Sequence, residues 1–155
     1  MTDVRVMMID LYVARPAGAG FEFLVLRRSR RGRSPGAWEV GHGHLEEGER
    51  PVEGARRELL EETGLTPSAM YNLSRVESFY MHRTDAVALI PAFLAFVPAD
   101  AEVEISGEHD AAEWLSVDLA RSRLSWPRSR RALDDIHVLF AQGSAGPLED
   151  LLRLC

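Results

Sequence analysis

The sequence predicts an α/β (α+β) domain in which a mixed β-sheet is covered by helices. Segments rich in β-branched and aromatic residues stand on both sides of one acidic, amphipathic segment, and a second helical segment follows towards the C-terminus. Strands, then a helix, then strands, then a helix favour a layered sandwich around one core. A chain of 155 residues without a repeat or a low-complexity linker has the length of one domain, so residues 1–155 are predicted to fold as a single unit.

The first third of the chain is predicted to consist of strands. The segments VRVMMIDLYVAR and FEFLVLRR flank the glycine- and proline-containing PAGAG, so we expect them to pair as a hairpin. A basic loop, RSRRGRSPG, follows them. The short segment AWEV is then a strand that leads into the glycine cluster Gly41–Gly43.

A helix is predicted over Arg50–Thr63. Pro51 is tolerated in the first turn of a helix, and Gly64 stands where a left-handed C-cap is expected. Three strands are expected beyond it, over Asn72–His82, Ala86–Val97 and Ala111–Val117. A closing helix is then expected over Trp126–Gly143, with the glycine as its stop.

Composition and charge limit the classes of partner. A chain that is 46% hydrophobic and 27% charged can bury a packed core. A net charge of −6 argues against a stable nucleic-acid complex or an anionic membrane surface, both of which require a basic face. A phosphorylated small molecule stays compatible with this charge, because a bound cation can invert the local field.

Cysteine usage and the N-terminus predict a cytoplasmic protein. Cys155 is the only cysteine, so no disulfide forms within the chain, as expected in a reducing compartment. Asp3 stands where a signal peptide carries bases, and no window approaches the roughly 20 apolar residues of a membrane span.

Three glutamates share one face of the predicted Arg50–Thr63 helix. Glu58, Glu61 and Glu62 lie at positions i, i+3 and i+4, within an arc of roughly 100°. The repulsion between these carboxylates requires a compensating positive charge. Carboxylate oxygens at this spacing suit Mg²⁺ or Mn²⁺. From these three residues alone, a solvated acidic stripe is the alternative interpretation.

The residues around these glutamates complete a longer pattern. Gly43 is followed after five residues by Glu49, and after seven more by Arg57-Glu58-Leu59, one residue, Glu61-Glu62, one residue and Gly64-Leu65. This pattern resembles the Nudix box, the signature of Nudix hydrolases. The resemblance implies a Nudix-type α/β/α sandwich in which the box forms a loop–helix–loop, and hydrolysis of a nucleoside diphosphate linked to another moiety.

The resemblance also implies roles for the residues of the box. Glu58, Glu61 and Glu62 match the metal-binding carboxylates of the family, and a backbone carbonyl in the turn that ends at Gly43 completes the metal site. Arg57 matches the arginine that orients the glutamates through ion pairs, with Glu49 as its expected partner.

Candidate residues outside the box lie on both sides of it. In relatives, an arginine near the end of the second strand contacts the substrate. Because side chains alternate along a strand, only one of Arg27 and Arg28 can face the cleft. Arg28 is the preferred candidate for this contact. Glu108 matches a loop glutamate that serves as a further metal ligand or as the general base, and it is preferred to Glu113. The general base therefore stays open between Glu108 and Glu58.

Two further residues are candidates for substrate binding, each with a structural alternative. His42 could donate to a phosphate, or it could serve only through its backbone in the glycine turn. Trp38 could stack on a base or a pteridine ring, or it could belong to the core.

The substrate is predicted only as a class. The segments WEVGHGHLEEGE and GEHDAAEWLSVDLARSRLSWPRSRRAL are similar to the branch that hydrolyses dihydroneopterin triphosphate and dNTPs, which implies a nucleoside or pterin triphosphate cleaved to a monophosphate and pyrophosphate. Dinucleoside polyphosphates, ADP-ribose or nucleotide sugars are the alternative substrates. A non-catalytic nucleotide-binding module is the alternative of another class, and a homodimer is compatible with the family resemblance.

Overall fold

The computed structural model describes residues 1–155 and contains eight strands in one mixed sheet. The strands are β1 (Asp3–Val6), β2 (Met8–Ala17), β3 (Gly20–Arg28), β4 (Trp38–Glu39), β5 (Gly41–His44), β6 (Ala69–Met81), β7 (Ala86–Phe96) and β8 (His109–Leu115).

Four α-helices and one 3₁₀ turn accompany the sheet. The helices are α1 (Pro51–Thr63), α2 (Val117–Arg123), α3 (Pro127–Leu139) and α4 (Glu149–Leu152), with the 3₁₀ turn at Gly146–Leu148. Helix α1 begins with a proline and ends at Gly64, whose φ of 72° is the left-handed conformation predicted for its C-cap.

The sheet combines parallel and antiparallel pairs, as predicted. Strands β2 and β3 form the expected antiparallel hairpin, and β2 pairs in parallel with β7. Strand β5 runs antiparallel to β2, in a register that sets Gly43 opposite Ile9 and His42 opposite Asp10. The strand that contains the box glycines therefore lies directly beside the central strand β2, whereas β4 pairs with β3.

Each face of the sheet carries its own apolar core, because successive side chains of a strand point to opposite faces. On one face, Leu11 and Val13 pack with Ala55 and Leu59 of α1. On the other face, the intervening Tyr12 and Ala14 pack with residues of α2 and α3. Helices on both faces give the predicted α/β/α sandwich.

Several predicted boundaries are wrong. The first strand is interrupted at Met7, whose carbonyl accepts a hydrogen bond from Leu45 N (2.9 Å), so β1 and β2 are separate strands. Strand β6 begins at Ala69 rather than Asn72, since a bulge with Ser74 at φ 51° lets the pairing continue. The closing helix spans Pro127–Leu139 and does not reach Gly143, which lies in the turn that follows.

Helix α2 is absent from the prediction. It starts after Ser116, whose hydroxyl accepts from Leu119 N (3.4 Å), with Asp118 in its first turn and Arg121 in its last. These are ordinary helix start and end residues, but the segment is only seven residues long and merges with the preceding strand pattern. None of the helices has the length and apolar character needed to cross a membrane.

Candidate active site

A cleft of about 570 Å³ opens between the box and the first turn of α3. Its walls carry acidic side chains from α1 and from the loop before β8, and basic side chains from β3, the basic loop and α3. Most of the predicted site residues line it: Arg28, His42, Gly43, Arg57, Glu58, Glu61 and Glu108.

Arg57 is the centre of the hydrogen bonding within the box. Its Nε donates to Glu49 Oε1 (2.8 Å) and its Nη2 to Glu49 Oε2 (3.0 Å), which gives the predicted pair a bidentate geometry. Its Nη1 reaches Glu58 Oε1 (2.9 Å) and Glu61 Oε2 (3.0 Å), and Nη2 also donates to the His44 carbonyl (2.9 Å). Hydrogen bonds from Arg57 and from the Glu46 amide lower the pKa of Glu49 to about 2.

The glycines of β5 leave room for the glutamates of α1. A Cβ on Gly43 would lie 2.0 Å from Glu58 Oε1, so only glycine allows this carboxylate to reach the turn. A Cβ on Gly41 would meet Glu62 Oε2 at 3.3 Å and the Leu11 carbonyl at 3.0 Å. The spacing Gly-x-Gly matches strand alternation, which turns both positions towards α1.

Burial disfavours the ionised form of the two buried glutamates of this group, Glu58 and Glu62. Burial, reinforced by the charge of Glu58, raises the pKa of Glu62 to about 9. Burial also raises the pKa of Glu58, against the opposing hydrogen bond from Arg57. Glu62 is 3% exposed, and its Oε1 has no hydrogen-bond partner.

These features fit a divalent cation, which would pair with the orphaned oxygen and stabilise both carboxylates in their ionised form. No three acidic or histidine side chains converge as a preformed metal cage in the structure. In this arrangement the guanidinium of Arg57 pairs with Glu58 and Glu61.

Glu108 reaches the cleft from the loop before β8, and its carboxylate forms no ion pair. Its carbonyl accepts from Ser29 N (2.9 Å), which ties this loop to the end of β3. The next residue, His109, is buried and its Nε2 lies 2.9 Å from Glu39 Oε1. The same Glu39 oxygen accepts from Arg28 Nη1 (3.0 Å), so a buried carboxylate fixes the preferred arginine of β3.

Arg27 and Trp38 do not line the cleft. Successive side chains of a strand point to opposite sides, so Arg27 lies away from the cleft, where its Nε donates to Oδ1 of Asp110 (2.7 Å), the extra residue of a β-bulge in β8. Trp38 packs against the core, with the guanidinium of Arg123 4.8 Å from its ring centroid.

Several residues at the cleft are not among the sequence candidates: Arg33 and Glu39 line it, and three others form a cluster at the start of α3. Asp10 is fully buried on β2, and Arg128 and Trp126 at the start of α3 line the cleft beside it. Arg128 donates to Asp10 Oδ2 through Nε (2.8 Å) and stacks on Trp126 at 4.7 Å. An aspartate within an apolar strand segment is the sequence feature that could have pointed to this cluster.

The family model of the NUDIX domain matches residues 3–136, which include both walls of the cleft. This chain belongs to the Nudix family. The predicted fold and the predicted membership of a hydrolase family are thereby confirmed.

Two relatives and one solved structure illustrate the similarity. An octanoyltransferase from Myxococcus xanthus is 37% identical over 84% of this chain, and the chain spans only 37% of that protein's length. The asymmetrical bis(5'-nucleosyl)-tetraphosphatase of Rattus norvegicus is 31% identical over 70% of this chain and 75% of its own length. The Escherichia coli dihydroneopterin triphosphate pyrophosphohydrolase superposes with a TM-score of 0.72 at 20% identity, over 89% of this chain and 99% of that one. At this identity, the superposition shows a shared fold.

Proposed function

We propose that this Nudix domain hydrolyses a phosphoanhydride bond in a nucleotide, with a nucleoside or pterin triphosphate cleaved to a monophosphate and pyrophosphate. The observation that carries the proposal is a single cleft in which Glu58, whose pKa is raised, faces a group of arginines, while Glu62, whose pKa is also raised, is buried on the same face of α1 outside the cleft lining. The carboxylates suit Mg²⁺ or Mn²⁺, and the arginines suit the phosphate oxygens that the cation leaves unpaired.

Glu58, Glu61 and Glu62, with the Gly43 carbonyl, would hold the cation. When bound, the cation neutralises the phosphate oxygens and acidifies a water. Arg57 keeps the glutamates in place through the hydrogen bonds described above.

The remaining side chains of the cleft would bind the substrate and move the proton. Arg28, Arg33 and Arg128 supply donors to the polyphosphate chain. Glu108 has no ion-pair partner and is the proposed general base: it accepts a proton as the water oxygen bonds to phosphorus and the bridging bond between the α and β phosphates breaks, which separates the monophosphate from pyrophosphate. Glu58 is the alternative base.

A dinucleoside polyphosphate is the second candidate substrate. The rat relative that covers most of this chain carries the name of such an activity. Arg33 and Ser34 line both the cleft and a neighbouring groove of about 620 Å³ that holds Phe79 and Tyr80. This groove offers aromatic side chains to a second nucleoside, which a triphosphate lacks.

Product analysis across a substrate panel tests the proposal. Purified protein with a Mg²⁺ titration is given dNTPs, dihydroneopterin triphosphate, diadenosine tetraphosphate and ADP-ribose, and the products are separated by chromatography. We expect pyrophosphate and a monophosphate from a triphosphate, whereas ATP and AMP from diadenosine tetraphosphate would favour the second candidate. Cleavage of none of them with Mg²⁺ or Mn²⁺ would contradict the hydrolase proposal and favour a nucleotide-binding module.

A further inference from the structure

Asp10 is a fully buried carboxylate that the proposed chemistry does not use. It lies on the central strand β2, on the sheet face that packs against α3. An ionised carboxylate is costly to bury unless charged or hydrogen-bonding partners surround it. The partners of Asp10 therefore indicate what this position does.

Both partners of Asp10 are side chains that line the cleft. The β2–β5 register places Asp10 opposite His42, and Asp10 Oδ1 lies 2.8 Å from His42 Nδ1. From α3, Arg128 donates through Nε to Oδ2 (2.8 Å) and through Nη2 to Oδ1 (3.2 Å). One carboxylate thus links the turn of the Nudix box to the opposite wall of the cleft.

The ionised state of Asp10 determines which atoms of its partners stay free. Burial favours a raised pKa for Asp10, but the hydrogen bonds from His42 and Arg128 outweigh it and lower the pKa. An ionised carboxylate only accepts hydrogen bonds, so the hydrogen of a neutral His42 ring must be on Nδ1. Nε2 of His42 and Nη1 of Arg128 are then the nitrogens that remain for the cleft.

The Arg128 guanidinium is also restrained from its flat side. It lies 4.7 Å from the ring centroid of Trp126, which in turn meets Phe79 edge-on at 5.7 Å. The carboxylate and the indole together fix both the position and the plane of the guanidinium, which lowers the entropy lost when it binds a ligand.

We propose that Asp10 is a positioning residue, which fixes the His42 ring with Nε2 towards the cleft and holds Arg128 with Nη1 free for a substrate oxygen. The proposal deepens the proposed function and rests on it for the identity of the ligand as a nucleotide phosphate. A purely structural alternative assigns Asp10 only the task of joining α3 to the sheet.

The tautomer of His42 tests the geometry without any turnover. In long-range ¹H–¹⁵N spectra of the metal-free protein at alkaline pH, we expect the Nδ1–H tautomer in the wild type. Its loss in Asp10→Ala, with the fold retained, would support the proposal, because alanine has no side-chain atom that accepts a hydrogen bond from Nδ1. The Nε2–H tautomer in the wild type would overturn it, whether or not a substrate is cleaved.

A kinetic double-mutant cycle tests the link to Arg128. Asp10→Asn and Arg128→Gln are each expected to raise KM about tenfold with a much smaller change in kcat, and the double variant to raise KM no further than either one. Independent, multiplicative effects would overturn the positioning role, as would a wild-type KM in Asp10→Asn. Arg131→Gln, on the exposed face of α3, is the matched control and should keep the wild-type KM.

Arg128→Lys keeps the test decisive if Asp10→Asn does not fold. Lysine retains the charge, but its single ammonium cannot hold two carboxylate oxygens and still present a fixed donor to the cleft. An increase in KM close to that of Arg128→Gln is expected. A wild-type KM in Arg128→Lys would show that charge alone suffices and would contradict the proposal.

Discussion

The two faces of strand β5 differ in how far along the chain their partners lie. Gly41 and Gly43 face α1, and the ion pairs of Arg57 on that side join residues of the box to one another. His42, between them, faces the opposite side and meets Asp10, which in turn binds Arg128 from 118 positions away. The wall of the cleft formed by α1 is therefore built from residues close together in the sequence. The wall formed by Arg128 requires that the sheet and α3 have already packed against each other.

The largest effect is expected at the buried end of the box. Glu62→Gln, and likewise Glu61→Gln, should lower kcat at least about 1000-fold, because a cation contributes several kcal/mol of charge stabilisation that neutral amides hold poorly. Turnover of the preferred substrate, together with circular dichroism to confirm the fold, measures this.

Glu47→Gln provides the matched control for this change, because Glu47 is exposed and does not line the cleft. Retained turnover in both Glu61→Gln and Glu62→Gln would refute their assignment as metal ligands.

Alanine substitutions at the two glycines of β5 should lower kcat to different extents. Gly43→Ala places a methyl group 2.0 Å from Glu58 Oε1 and should displace that carboxylate, with a loss of kcat of about 100-fold. Gly41→Ala meets its nearest atom at 3.0 Å and should cost less. Steady-state kinetics compares them with Gly107→Ala, where nothing lies within 4 Å of the added atom; equal activity in the three variants would contradict the account.

The acidic wall should also make stability depend on pH when no metal is present. The pKa of Glu62 is raised to about 9 in the folded protein and is near its ordinary value in the unfolded chain, so the folded state binds the extra proton between these values. Folding stability should therefore fall as pH rises from 5 to 8, by roughly 4 kcal/mol more in the wild type than in Glu62→Gln. Urea unfolding of both proteins in EDTA measures the difference, and parallel curves would argue against a desolvated carboxylate.

The smallest effects are expected for the neighbouring arginines of β3. Arg28 lines the cleft and Arg27 pairs with Asp110 outside it, so Arg28→Ala should raise KM about tenfold and Arg27→Ala less than about twofold. The reverse order in the measured KM values would show that Arg27, and not Arg28, contacts the substrate.

The difference between the two walls also explains which parts could be predicted from the sequence. The shared face of Glu58 and Glu62 follows from helical spacing within one segment, and the predicted sandwich follows from the alternation of strands and helices. The Arg57–Glu49 pair is implied by the resemblance to the Nudix box, because Glu49 precedes the helix. The Asp10–Arg128 pair depends on which strand lies beside α3, and no local pattern contains that information.

Irregular backbone accounts for the other differences from the prediction. One β-bulge inserts Asp110 into β8, where it pairs with Arg27, and β6 gains its first residues from a second bulge at Asn72–Arg75. Trp38 was considered both for stacking and for the core, and its packing against the core follows from the long-range pairing of β4 with β3.

Binding of Mn²⁺ tests the central claim, that the Nudix-box carboxylates hold a divalent cation, most directly. The electron paramagnetic resonance signal of free Mn²⁺ is recorded as protein is added, for the wild type, Glu62→Gln and the control Glu47→Gln. The account predicts that the wild type and the control remove the free signal, while Glu62→Gln requires at least about tenfold more protein to do so. Equal loss of the signal with all three proteins would contradict the account.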